Sequence, residues 1–283
     1  MSKQLKGNFI SIDPNAKIFE ELKRQQPEWW NLFQNDKELY IEIRKDNYFN
    51  IYYFGGSVAK IAYKDGFVAE THQKYLGDYR PHKTTEKGKE IFKYKSIELE
   101  NLDSKKISEI KTRIDSDYLQ NNNDEKPAEK WIQGEMVRKN SDFIDSEFQF
   151  NSDVEVGKLR IDLVELANGV LTFVELKGIF DSRLRNDSSR NSKTPEIVEQ
   201  MEKYSLFIHK YEREILEYYK KLLTIKQNLG LIPIQKPLVE LNKVPKLIVA
   251  NTYKKMTSKR EVRIEEIIKL LDKHKIHYEM VKM

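Results

Sequence analysis

Residues 159–178 read Leu159-Arg160-Ile161-Asp162-Leu163-Val164-Glu165-Leu166-Ala167-Asn168-Gly169-Val170-Leu171-Thr172-Phe173-Val174-Glu175-Leu176-Lys177-Gly178. Two apolar-rich runs flank an Asn-Gly pair, the dipeptide best suited to a two-residue type I′ hairpin turn. The reading is a strand over 159–165, a turn, and a strand over 170–176. Asp162 sits inside the first run. Glu175 and Lys177, two residues apart, share one face of the second. Charges inside apolar strands are costly unless they are paired or bind a metal. Three of them on adjacent strands call for an explanation, either a reactive site or a salt-bridged edge hairpin.

Two carboxylates and the Leu176 carbonyl between Glu175 and Lys177 form a hard oxygen set, the kind that suits Mg²⁺ or Mn²⁺ beside a phosphate. A lysine next to such a metal can orient the attacking water and offset charge developing on phosphorus. The chemistry expected is hydrolysis of a phosphodiester.

Outward from this hairpin the expected elements are a helix over 128–139, a strand over 147–150, and a polar loop over 178–194. A long helix follows from Pro195 to about Asn228, then a strand over 246–250, a helix over 261–273 and a last strand over 276–281. That order describes an α/β fold with a mixed sheet between helices. The tyrosines of the long helix could stack on bases, but core packing is the stronger reading. In the polar loop, Arg183, Arg185, Arg190 and Lys193 stand against Asp181 and Asp187. The loop is either a clamp on substrate phosphates or an ordinary solvated loop.

Asp162, twelve residues, then Glu175-Leu176-Lys177 on paired strands resembles the PD-(D/E)xK nuclease superfamily. Ile161 stands where the family name implies Pro. Gln200-Met201-Glu202-Lys203-Tyr204 is similar to the Gln-x-x-x-Tyr signature of the RecB-like and lambda-exonuclease-type branch. At spacing i and i+4, Gln200 and Tyr204 share one helix face. The resemblance covers roughly 128–205. It implies a restriction-endonuclease-like mixed sheet flanked by helices, a Mg²⁺ cofactor with Mn²⁺ as substitute, and DNA as substrate. It places Gln200 and Tyr204 beside the metal and the DNA backbone. Such families also bring a Glu from the helix before the hairpin. Glu129 and Glu135 compete for that role, with Glu147 a further candidate. On a 3.6-residue period Glu135 falls on the side of Trp131 and Ile132, so Glu135 is the choice.

The polar run Gln120-Asn121-Asn122-Asn123-Asp124-Glu125-Lys126-Pro127 reads as a linker between an N-terminal unit, 1–119, and the nuclease-like unit, 128–283. A chain of 283 residues suits two such units. The N-terminal unit is a smaller α+β domain: one helix over 16–33, strands over 39–44, 48–54 and 58–63 as an antiparallel meander, and a closing helix over 104–119. Gly55-Gly56-Ser57 before Lys60 is a hairpin turn and not a phosphate loop, because strands flank it on both sides. This unit is expected to set substrate choice, to engage a regulatory protein, or to form a homo-oligomer.

Charged residues are 34%, hydrophobic residues 39%, with 15 Tyr and 13 Phe and a net charge of +5. The aromatic content argues for a real core, and the mild positive charge is compatible with nucleic acid. Without cysteine, disulfides, thiolate metal sites and cysteine nucleophiles are excluded. Residues 1–10 lack the apolar core of a secretory signal, and no apolar run is long enough to span a membrane. A cytoplasmic DNA nuclease is the expectation, of the kind associated with antiviral defence, restriction or DNA repair. The alternatives are an RNA-cleaving or partner-activated nuclease, and a binding protein that uses a nuclease fold without cutting.

Overall fold

The computed structural model describes residues 9, 12–86, 88, 90–119, 126–150, 157–185, 194–233 and 237–283. Residues 120–125 of the expected linker, and Asp187, Arg190 and Lys193 of the polar loop, lie outside the described residues.

The chain opens with two helices, α1 (Lys17–Gln25) and α2 (Glu28–Asn35). A single helix over 16–33 is expected from sequence. The chain instead turns at Gln26, which takes a left-handed φ of 42°, directly before Pro27. Proline lacks the amide hydrogen a continuing helix needs and disfavours helical backbone in the residue before it. Four strands follow as a meander: β1 (Leu39–Arg44), β2 (Tyr48–Tyr53), β3 (Gly56–Tyr63) and β4 (Phe67–His72). A small hairpin, β5 (Lys83–Thr84) and β6 (Glu90–Ile91), precedes β7 (Tyr94–Ile97), which pairs with β4. All pairings in the five-stranded sheet β1-β2-β3-β4-β7 are antiparallel. β4 and β7 extend the three-stranded meander read from sequence. Helix α3 (Ser104–Leu119) closes this part.

Helix α4 (Glu129–Lys139) leads into β8 (Phe143–Phe150), β9 (Leu159–Ala167) and β10 (Val170–Gly178). Asn168 and Gly169 adopt φ of 53° and 83°, the paired left-handed conformations of a type I′ turn. Helix α5 (Glu196–Asn228) is kinked at Tyr211. The short β11 (Glu240–Leu241), then β12 (Lys246–Asn251), α6 (Ser258–Lys273) and β13 (Tyr278–Lys282) complete the chain. The second sheet runs β13-β12-β10-β9-β8, with β11 also on β10. β8, β9 and β10 are antiparallel, whereas β12 joins β10 and β13 joins β12 in parallel. The fold is therefore mixed α/β, with a mixed sheet between helices.

One apolar cluster runs through both sheets. It takes in Phe49, Ile51 and Ile61 of the meander, Phe148, Phe150 and Phe173 of the mixed sheet, and Phe207, Tyr211 and Tyr219 of α5. The α5 tyrosines are thus core residues, ring against ring with Phe148, Phe150 and Phe173. Helix α4 lies directly on the β2–β3 turn. A Cβ on Gly134 would stand 2.6 Å from the Phe54 Cα, so glycine is what lets the helix come this close. Phe54 in turn stacks on Trp131, at 5.5 Å and 9°. Among the described residues, no helix is long and apolar enough to cross a membrane.

Candidate active site

The β9–β10 ladder runs from Ala167↔Val170 to Leu163↔Val174 and then stops. Beyond it, the Leu176 amide donates to Asp162 Oδ2 at 3.0 Å. A carboxylate thus takes the place of a backbone acceptor where the strands part, and it fixes Asp162 against β10. Gln133 of α4 donates its Nε2 hydrogen to the Asp162 carbonyl at 2.5 Å, which pins the helix to the same residue.

Lys177 is 1% exposed. Its ammonium donates to Glu175 Oε1 and, at 2.7 Å, to the Leu176 carbonyl. Asp162 Oδ2 lies 3.5 Å away and Glu129 Oε2 3.6 Å away. Four oxygens from three elements converge on one cation. Glu129 also reaches Arg183 Nη2 at 3.6 Å, and Arg183 makes a two-pronged pair with Asp181 at 3.0 and 2.6 Å.

From α5, Gln200 Nε2 donates to Glu175 Oε1 at 2.6 Å and to the Tyr204 hydroxyl at 3.1 Å. The Tyr204 hydroxyl is 2.6 Å from both Glu175 Oε2 and the Arg160 carbonyl. Its single hydrogen can serve only one of them. The other short contact to Glu175 is satisfied when the carboxyl carries a proton and donates to the hydroxyl.

That picture agrees with the electrostatics. Burial pushes the Glu175 carboxyl up to about 7; the Asp162 charge adds to this, while Lys177 and Tyr204 oppose it. Burial likewise raises Glu129, against the pull of Lys177. Burial works against the Lys177 charge, but Glu175, Asp162 and Glu129 outweigh it and hold the ammonium above its ordinary value. Burial also raises the Tyr204 phenol, and so does the Glu175 charge. Four carboxyls (Glu129, Asp162, Glu175 and Asp181) thus face two cations, Lys177 and Arg183.

This excess has a consequence for stability. A folded pKa raised above the ordinary 4.5 means that Glu175 stabilises the fold fully below about 4.5. That contribution is lost as pH rises through about 7. The melting temperature should therefore fall between about pH 5 and about pH 8, and Glu175→Gln should flatten the slope. An unchanged slope in the variant would show that Glu175 ionises normally.

The structure brings Asp162, Glu175, Lys177, Gln200 and Tyr204 together, and with them the Leu176 carbonyl. Glu135, chosen from sequence as the third carboxylate, is elsewhere. It pairs with Lys139 and, at 2.6 Å, with Arg138 on its own helix. Glu129 takes the position beside Lys177. Ile132 is buried against the sheet, with Trp131, Met136 and Val137 packed on the same apolar cluster. Glu129 and Gln133, four residues apart, share the flank facing Asp162, whereas Trp131 and Glu135 share the other. Trp131 packs against the apolar cluster of the sheet, as its spacing suggests, and also stacks on Phe54. Glu147, the further candidate, lies 3.5 Å from Lys130 and 3.7 Å from Arg160. Of the expected phosphate contacts, Arg183 is tied to Asp181 and Glu129, and Arg185 is exposed. Sequence reasoning missed Gln133 and Asp181, whose polar side chains carry no motif of their own.

The donor set suits a hard divalent cation in chemistry and in charge: three carboxyls and one carbonyl around a single point, with negative charge in excess. Among the described residues, no group of three or more His, Cys, Asp or Glu is gathered as a ready ligand cluster. The carboxyls here are turned to the Lys177 ammonium. No protein-family model, curated protein or solved structure matches this chain.

Proposed function

We propose that the chain is a metal-dependent nuclease that hydrolyses DNA phosphodiester bonds, on a restriction-endonuclease-like core formed by the mixed sheet. The observation that carries this reading is the convergence of Glu129, Asp162, Glu175 and the Leu176 carbonyl on the Lys177 ammonium. That much buried carboxylate around one lysine is costly for a purely structural purpose and suits a site that exchanges cations.

Asp162, Glu175, Glu129 and the Leu176 carbonyl would hold Mg²⁺ or Mn²⁺. When bound, such a cation neutralises phosphate oxygens and lowers the pKa of a bound water. Lys177 would then be released from the carboxylates to orient the attacking water and offset charge on the phosphorane. Gln200 and Tyr204 hold Glu175 from the α5 side and fix its carboxyl plane. Tyr204 also grips the Arg160 carbonyl, which ties the parted end of β9 to α5.

The direct test is cleavage of plasmid, linear duplex DNA, single-stranded DNA and RNA with Mg²⁺, Mn²⁺ or EDTA. Wild type is compared with Asp162→Asn. Cutting that needs the metal and disappears in the variant is the expected result. Absence of cutting in every metal, with the same Mg²⁺-induced melting shift in wild type and Asp162→Asn, would remove the reading.

A further inference from the structure

The segment from Lys254 to Arg263 reads Lys-Lys-Met-Thr-Ser-Lys-Arg-Glu-Val-Arg. It holds five basic residues and one acidic residue, and it links β12 to the first turns of α6. Nothing in the proposed chemistry uses it. Contacts nevertheless tie it to the chain that leaves the site just after Lys177. Arg263 Nη2 donates to the carbonyls of Ile179 and Asp181 at 3.2 and 3.3 Å. Phe180 meets Tyr253 edge-on, with centroids 4.9 Å apart. The Arg260 guanidinium lies over Tyr253 at 4.7 Å, and the Lys126 ammonium over Phe180 at 4.9 Å. One aromatic pair therefore carries a cation on each ring, beside the exit from the catalytic strand.

Arg263 is the most informative of these residues. Its Nε is buried and has no hydrogen-bond partner among the described residues. Burial, and next the charge of Arg185, depress its guanidinium below the ordinary value. Arg263 is thus anchored by two backbone carbonyls with one donor left over, at the inner end of a basic segment whose other cations point outward. Lys254, Lys255 and Lys259 are exposed on the same segment and extend the positive charge away from the site.

We infer that the β12–α6 segment, anchored by Arg263 beside the exit from the site, is the clamp for the phosphate backbone of the nucleic-acid strand. The inference rests on the nuclease reading for the identity of the strand. The clamp is built from a different part of the chain than the polar loop in which phosphate contacts are expected from sequence.

The test is binding of fluorescein-labelled duplex and single-stranded DNA to the full chain in EDTA, where no cleavage occurs. It compares wild type, Arg263→Ser, Lys255→Ser/Lys259→Ser, and a control, Lys220→Ser/Lys221→Ser on the exposed face of α5. The double clamp variant alters only exposed side chains, so it folds even if Arg263→Ser does not. The clamp variants should bind about tenfold more weakly than wild type. Their slope of log affinity against log salt should be shallower by about 1 for each phosphate contact removed, and the control should match wild type. Equal binding and equal salt slopes in all forms would overturn the clamp, even with cleavage intact. So would saturation by inorganic phosphate with no effect of the variants on DNA. Weaker DNA binding in the clamp variants, in a protein that cuts nothing with any metal and whose Mg²⁺-induced melting shift is the same in Asp162→Asn, would uphold the clamp and remove the nuclease reading alone.

Discussion

Lys177→Ala should lose metal-dependent cleavage by roughly a hundredfold to a thousandfold, the usual effect of removing one charge-stabilising group from a preorganised site. It should also bind divalent cations with a larger stabilising effect than wild type. Lys177 is the cation toward which Glu175, Asp162, Glu129 and the Leu176 carbonyl are turned. Without it Asp162 and Glu175 lose their countercharge and Glu129 keeps only Arg183, and the metal-free variant should be less stable by about 3–5 kcal/mol. A cation that binds the folded state alone stabilises it in proportion to the logarithm of its concentration over Kd. Mg²⁺ or Ca²⁺ should therefore raise the melting temperature of Lys177→Ala more than that of wild type, where the ammonium must first be displaced. Glu175→Gln, which removes a ligand and keeps the ammonium, should respond weakly. Two measurements decide the matter: the melting shift with added cation for each form, and cleavage beside it. A variant that still cuts at the wild-type rate would remove Lys177 from the chemistry. A melting shift no larger than that of wild type would remove the oxygen set from metal binding.

The hairpin at the centre of the site is legible in sequence because local rules decide it. Period-two alternation sets the strands, Asn168-Gly169 sets the turn, and the strand register follows. Helix α5 is legible from end to end because Pro195 starts it and its apolar rows persist to Asn228. Glu129 is not legible in the same way. The choice between it and Glu135 turns on which flank of α4 faces Asp162 and Lys177, because Trp131 and Ile132 both pack on the sheet and the apolar spacing does not separate the flanks. The break at Gln26-Pro27 was written in the sequence, but the apolar spacing across it conceals it. Pairs such as Glu42 and Lys226, 184 residues apart, follow no periodicity and emerge only once both sheets are packed.

That last pair sets the second large effect. Lys226 is 4% exposed and Glu42 1%. The ammonium donates to Glu42 Oε2 at 2.5 Å and to the Ile144 carbonyl at 2.6 Å, and Glu42 Oε1 accepts from Ser146 Oγ at 3.0 Å. Beside it Arg44 Nη1 is 3.1 Å from Asp145, whose other oxygen accepts from the Tyr219 hydroxyl at 3.0 Å. These links run from β1 of the meander to β8 of the mixed sheet and on to α5. Lys226→Met leaves the Glu42 carboxylate buried with one hydrogen bond and without its ion-pair partner, which should cost about 3–5 kcal/mol. For a chain of this size that lowers the melting temperature by roughly 6–20 °C. Glu42→Leu in the same chain removes the stranded charge and should recover roughly 0.5–3 kcal/mol of the loss, the range for directly coupled neighbours. Because the apolar cluster passes through both sheets without a break, the loss should appear as one cooperative transition at lower temperature. Urea unfolding followed by tryptophan fluorescence and by far-ultraviolet circular dichroism checks this. Trp29 and Trp30 report on the meander side and Trp131 on α4, while the far-ultraviolet signal reports on the helices of both parts, α5 the longest of them. Coincident curves with a shifted midpoint are expected. Two separated transitions in Lys226→Met would show that the Glu42–Lys226 pair, and not the shared apolar core, makes the two sheets unfold together.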